Sequence, residues 1–208
     1  RGITGTDADN IRKYRAEARF IRAYQYWVLM DMFGNPPFAT ENDAIGTTIP
    51  KQIQRKDLFN YIESELKAIE NDLMAPGQNE YPRAEKSAAW ALLSRLYLNA
   101  EVYTGTAQWA LAAADASEII NSGPYSLMPS YKDNFAINNS GSTENIFVYP
   151  YDKVFAGGFN WVMMTLHIVS QSTFNLTQQP WNGYQTVEEF YNSYVDPVKN
   201  PGVQGPVW

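Results

Sequence analysis

The chain of 208 residues contains no cysteine, so disulfides and thiol chemistry are excluded and redox compartment leaves no trace in it. Histidine occurs once, as His167, which argues against a histidine-built metal centre or a catalytic triad. No metal and no cofactor is expected. No apolar run approaches the roughly 18 residues needed to span a bilayer. There is no signal peptide, but the chain opens on Arg1 and not on Met, so the expected true N-terminus lies upstream and a periplasmic or surface address stays open. Positive charge is scarce. Sixteen Lys and Arg against 22 Asp and Glu leave a formal charge of −6, with no basic stripe to meet phosphates, so nucleic acid is not an expected partner. Gly157-Gly158 lacks the strand–turn–helix setting and the lysine of a phosphate loop.

Aromatic residues, by contrast, are plentiful: 14% of the chain, with 14 Tyr and 6 Trp. At 45% hydrophobic and 18% charged, the composition is that of a folded protein with one good-sized core or two small ones. The longest pattern is Arg15 to Phe38. There Ala16, Phe20, Ala23, Trp27 and Met30 recur at steps of four and three, the spacing of one helix face. Ile21, Tyr24 and Val28 make a second row, so the predicted buried stripe is wide. Gly34 and Asn35-Pro36-Pro37 end that helix and turn the chain into an extended segment. Thr6 or Asp7 is the expected cap at its start.

A second helix is predicted from about Gln54 to Met74, with Leu58, Ile62, Leu66, Ile69 and Leu73 on one face and Asp57 at its positive end. A third is predicted from Pro82 to about Tyr103, apolar nearly all round and therefore central. Thr106 is the expected cap of a fourth, ending near Asn121, with Trp109, Ala113, Ala116 and Ile120 buried and Ser122-Gly123-Pro124 as the stop. Helices paired across turns suggest hairpins of tetratricopeptide type. The character changes after Gly123. Glu144 to Tyr149 reads as a buried strand, Tyr151 to Gln179 as an aromatic loop layer, and Thr186 to Tyr194 as a short helix with Thr186 and Glu189 spaced as a capping box.

Four stretches carry a resemblance. The run Glu17-Ala18-Arg19-Phe20-Ile21-Arg22-Ala23, with Tyr24 and Tyr26 and then Phe33-Gly34-Asn35 before Pro37, is the first. The exit of the fourth helix, ASEIINSGPYSLMPSYKDNF, is the second; Ser142 to Phe147 and Gln179 to Tyr184 followed by Glu188, Glu189 and Phe190 are the others. In this order they resemble the SusD/RagB family of glycan-capturing lipoproteins over most of residues 10 to 196. The chain departs where members often carry Asp-Pro-Arg, since Asp196-Pro197 is followed by Val198. The resemblance implies part of a longer surface lipoprotein of the outer membrane of Bacteroidetes. It also implies an oligosaccharide or polysaccharide ligand, a SusC-like TonB-dependent outer-membrane transporter as partner, and no catalysis.

The fold class expected is mainly α: helical hairpins over 1–124, with a loop-rich segment, few short strands and a short helix over 125–208, packed on the scaffold as one domain. Sugar rings present apolar C–H faces edged with hydroxyls, so a binder needs flat aromatic platforms with amides at the rim. Tyr151, Phe159, Trp161 and Trp181, with Asn160 and Asn182, are the candidates. Trp181 stands where the resemblance places a stacking tryptophan in some starch-binding members, with Asn182 at the rim and a partner ring expected from Tyr151 to Trp161. Against this stands the reading that the rings fill a loop-rich core. A glycosidase needs two carboxylates about 5 to 9.5 Å apart, and nothing in the spacing of Glu144, Glu188, Glu189 and Asp196 pairs them. His167, in an apolar run, reads as a hydrogen-bonded structural residue. Arg15, Arg19 and Arg22 with Glu17 read as a salt-bridged face local to one helix. The rival function is a helical protein-interaction scaffold without direct sugar binding.

Overall fold

The structure is a computed structural model that describes residues 4–43, 46, 49–151, 154, 157 and 160–189. The chain divides into two compact units, Arg1–Tyr149 and Pro150–Trp208. The first contains α1 (Thr6–Phe33), α2 (Arg55–Ile69), α3 (Lys86–Leu98), α4 (Ala100–Thr104) and α5 (Trp109–Ser122). The second contains α6 (Trp161–Thr165) and a 3-10 turn at Ile168–Gln171. The fold is mainly α, with α1 packed on α2 and α3 on α5 as helical pairs of the expected kind. Among the described residues no strand forms, and extended pairing is limited to isolated bridges at Pro37–Gln52 and Met74–Glu85.

The core follows the periodicity of α1 and α2. Ala16, Phe20, Ala23 and Met30 are buried along α1, and Leu58, Phe59, Ile62, Leu66 and Ile69 along α2. From α3, Ala88, Ala89, Leu92, Leu93 and Leu96 complete it. Burying each large aliphatic or aromatic side chain contributes roughly 1.5–3 kcal/mol. The α1 stripe is narrower than predicted, because Trp27 is half-buried and Ile21 is exposed. Neither Thr6 nor Asp7 caps it: Gly5 occupies that position without a side-chain hydrogen bond.

The FGNPPF segment has a physical reason at each position. Gly34 has φ +73° and ψ −74°, and the Asn35 N–H donates 2.9 Å to the Phe33 carbonyl, a γ-turn. The positive φ is what calls for glycine; a Cβ there would also stand 2.9 Å from Arg55 Nη2, the flexible end of a side chain that can shift aside. The Gln54 side chain does not cap α2; Asn35 Oδ1 accepts the Arg55 N–H at 2.8 Å instead. Phe38 N–H donates to the Lys51 carbonyl at 2.9 Å and Ile53 N–H to the Pro36 carbonyl at 3.1 Å, so both ends of the connection are clamped. The Tyr26 hydroxyl donates to the Ala39 carbonyl and accepts its N–H. Tyr26, Phe38 and Tyr61 then close a ring cluster, with Phe38 and Tyr61 centroids 4.7 Å apart.

The arginine face of α1 is not local. Arg19 grips Glu65 of α2 with Nε and Nη2 at 2.9 and 2.7 Å, and Arg22 Nη2 reaches the same carboxylate at 2.7 Å. Arg22 also pairs with Glu41, and Glu17 takes Arg83 at 2.6 Å and Asn79 at 3.0 Å. The expected i,i+3 and i,i+4 pairing is thereby corrected: the oppositely charged partners lie on α2 and on connecting segments distant in sequence, where partial burial makes pairing stronger than on one exposed helix. The hydrogen bonds from Arg19, then those from Arg22, hold Glu65 below the usual carboxylate range.

Three further expectations are corrected. The predicted third helix starts at Lys86, not Pro82, and breaks at Asn99, whose side-chain amide donates to the Arg95 carbonyl at 3.2 Å, a local bond that competes with helix continuation. Leu98 and Val102 face outward beside that break. In α5 the buried side is Ala112, whose carbonyl accepts from Ser94 Oγ at 2.9 Å, while Trp109 and Ile120 are exposed. Gln108, not Thr106, occupies its N-cap. Residues 144–149 form turns and bends instead of a strand, because no second segment pairs with them among the described residues. Their rings pack on α1, with Phe147 edge-on to Phe20 at 5.0 Å.

Candidate functional site

In the second unit the aromatic side chains gather around α6. The Asn160 side chain accepts the Met163 N–H at 3.2 Å and so caps this helix. Residues 181–184 run along its exit as a backbone ladder. Trp181 N–H donates to the Met163 carbonyl at 2.7 Å, Asn182 N–H to Leu166 at 3.2 Å, and Gly183 and Tyr184 to Met164 at 2.8 and 3.0 Å. Asn182 sits at φ 52°, in the left-handed region that asparagine tolerates better than most residues. Gly183 lies against Met164, where an added Cβ would collide with the sulfur at 1.8 Å.

This ladder brings Tyr184 onto Trp161. Their centroids are 5.5 Å apart and their planes 20° from parallel, an offset stack. Both remain about half exposed, at 52% and 57%, and Trp181 is 49% exposed. About half of each ring's surface therefore faces solvent. Among the described residues of this unit only Met163 and Pro180 are buried. The Asn182 side-chain amide makes no hydrogen bond among the described residues, which leaves it available at the rim of Trp181.

The sequence candidates fare differently. Trp161, Trp181, Asn160 and Asn182 come together through α6 and the ladder. Asn160, expected at a rim, spends its side-chain oxygen on the helix cap. Tyr151 is exposed and makes no hydrogen bond or ring contact among the described residues. Phe159 lies outside the described residues, as does Asp196. Tyr184 belongs to the aromatic stretch evident in the sequence but was not among the expected site residues, and it is the ring that stacks on Trp161. Glu188 and Glu189 are exposed, and most of the short helix predicted around them falls outside the described residues. His167 accepts the Val169 N–H through Nδ1 at 3.3 Å, a structural bond as expected. Glu144, in the first unit, ties a loop: its Oε1 accepts Met128 N–H at 2.9 Å and the Asn134 amide at 2.8 Å, and these bonds lower its pKa.

The fold class is mainly α, with one unit of helical pairs and one in which aromatic rings stand half exposed on a short backbone ladder. Comparison with known proteins narrows this. Residues 4–98 match the model of the SusD-like family described as starch-binding and associating with the outer membrane. The chain is 42% identical over 134 residues to the starch-binding protein SusD of Bacteroides thetaiotaomicron, covering 64% of this chain and 23% of that one. A SusD homologue of the same organism superposes with TM-score 0.54 at 28% identity, over 63% of this chain and 27% of the other. So does a surface glycan-binding protein A from that organism in complex with laminarihexaose, with TM-score 0.54 at 24% identity over 67% and 28%. Over these residues the chain is similar to the SusD-like family, and it spans about a quarter of the length of the curated relatives it matches.

Proposed function

We propose that this chain contributes to non-catalytic capture of an oligosaccharide, with the surface around α6 as the contact. The observation that carries this is the stacked Trp161–Tyr184 pair beside Trp181, three half-exposed rings held on one short backbone ladder. Rings arranged so can meet the C–H faces of sugars, and the Asn182 amide can take a hydroxyl. Relatives named as starch-binding and as bound to laminarihexaose support the same class of ligand. The protein would act as a surface lipoprotein of the outer membrane, handing its ligand to a SusC-like TonB-dependent transporter, with the helical unit as scaffold.

Isothermal titration against a panel of soluble oligosaccharides tests this. Trp181→Ala and Tyr184→Ala are each expected to weaken binding about tenfold or more, as removal of an aromatic platform costs upward of 1 kcal/mol. Unchanged affinity in both removes the proposal. A second reading, a protein-interaction scaffold, is favoured by the exposed Val102, Trp109 and Ile120 of α4 and α5. It predicts no saccharide heat and loss of transporter co-migration on gel filtration when Trp109 and Ile120 are made serine.

A further inference from the structure

A cleft of about 300 Å³ opens in the first unit between α1, α3 and residues 144–149. It lies at the lower end of the roughly 300–1,000 Å³ range of small-molecule sites. Tyr24, Phe147 and Tyr149 form its aromatic wall, with centroids 6.1, 5.7 and 5.3 Å apart and planes inclined by 58° to 72°. Tyr149 remains 43% exposed, and its hydroxyl receives Gln25 Nε2 at 3.4 Å. Arg95 lines the same cleft, its guanidinium 5.9 Å from the Trp27 ring, and it has no acidic partner among the described residues. Arg19, Arg22 and Arg83, by contrast, are each paired with a carboxylate. Glu144 lines the cleft too, with Oε1 committed to Met128 and Asn134 and Oε2 uncommitted. The amide of Asn145 adds a carbonyl oxygen, since its nitrogen is used on Asn139.

The chemistry of this lining selects its ligand. Ring walls suit the C–H face of a saturated ring. A guanidinium donor and a carboxylate acceptor in one cleft suit hydroxyls, each of which accepts and donates. A carboxylate or phosphate ligand would meet Glu144, and an ammonium ligand would meet Arg95. We infer that this cleft is a second saccharide site, taking one neutral pyranose unit, with Tyr149 and Tyr24 as stacking surfaces and Arg95 and Glu144 as hydroxyl partners. It stands on residues separate from Trp161, Trp181 and Tyr184, and so it does not depend on the reading of that surface.

The test is amide hydrogen exchange and titration with maltohexaose and laminarihexaose on the chain as it stands, on Trp181→Ala and on Arg95→Met. Arg95 is exposed and outside the core, so its replacement leaves folding intact; Tyr149→Ala provides an independent second variant. The expected result is saccharide-dependent protection over residues 144–149 that persists in Trp181→Ala, with affinity at this site weakened about tenfold in Arg95→Met and in Tyr149→Ala. Protection confined to residues 161–184, or wild-type titration by both cleft variants, overturns the second site and leaves the first standing. Loss in the cleft variants with Trp181→Ala unaffected does the reverse. No saccharide-dependent change in any protein overturns both.

Discussion

The two units differ in how far helices enclose their aromatic residues. In the first, Phe20, Phe59 and Tyr97 are fully buried, and the Tyr97 hydroxyl is spent on Glu63 at 2.8 Å. In the second, Trp161, Trp181 and Tyr184 stand half in solvent on a ladder of backbone hydrogen bonds. The same residue types are thus buried where helices enclose them and half exposed where a short helix and a turn cannot. A ring's role follows from how much secondary structure surrounds it, and the second unit has little.

The sharpest way to break this contrast is to truncate one ring on each side. Phe20→Ala should destabilise the helical unit by about 3–5 kcal/mol, as for other buried phenylalanines, whereas Trp181→Ala should leave the urea midpoint within experimental scatter. Equal losses would show that Trp181 is core. Next in size is the carboxylate shared by two arginines. Glu65→Gln should cost about 2–3 kcal/mol, since it leaves partly buried guanidiniums without their counter-charge. The pH course has a definite sign. The Glu65 pKa is lowered by folding, so its contribution is complete above the unfolded value near 4.3 and is lost as pH falls through the folded value. Acid titration of urea midpoints should therefore be flatter in Glu65→Gln.

Gly34→Ala should follow, at about 1–2 kcal/mol from the positive-φ backbone, as measured by thermal melts. The smallest effect concerns α5. Asp115 Oδ2 is enclosed without a hydrogen-bond partner among the described residues, and burial, followed by the charge of Glu70, pushes the carboxyl up to about 6. The folded state then binds the proton more tightly than the unfolded chain. Stability should fall as pH rises from about 4 through 6. Asp115→Asn should remove that decline and raise the melting temperature at pH 7; a lowered one would show that the charge is needed.

What could be read from the sequence divides along the same line as the units. Leu58, Ile62, Leu66 and Ile69 announce a buried helix face because each lies one helical turn from the next, and the structure buries all four. The end of α1 was equally legible, since glycine and two prolines leave few conformations. Other features were not legible because they depend on partners distant in sequence. Nothing in Glu17, Arg19 and Arg22 shows that their counter-charges are Arg83 and Glu65 and not one another. Trp109 and Ile120 keep the period of a buried face, yet the neighbour that packs on α5 meets Ala112 instead. At the candidate site, Gln179 to Tyr184 stands out as one of the resembling stretches, but the choice of Tyr184 to stack on Trp161 comes from the register of the ladder on α6, which no local pattern encodes.

The clamped ends of the connection between α1 and α2 carry a consequence for how such a chain can change. Pro36, Phe38, Lys51 and Ile53 close the loop at its base, while Asn35 begins the next helix irrespective of what lies between. Closure entropy grows only slowly with loop length, by about 0.6 kcal/mol per doubling. Residues added beyond Asn42 would therefore extend outward from a neck already sealed. The helix pair can be held constant while the loop lengthens, shortens or acquires a new surface, which makes this the natural place to graft an additional module.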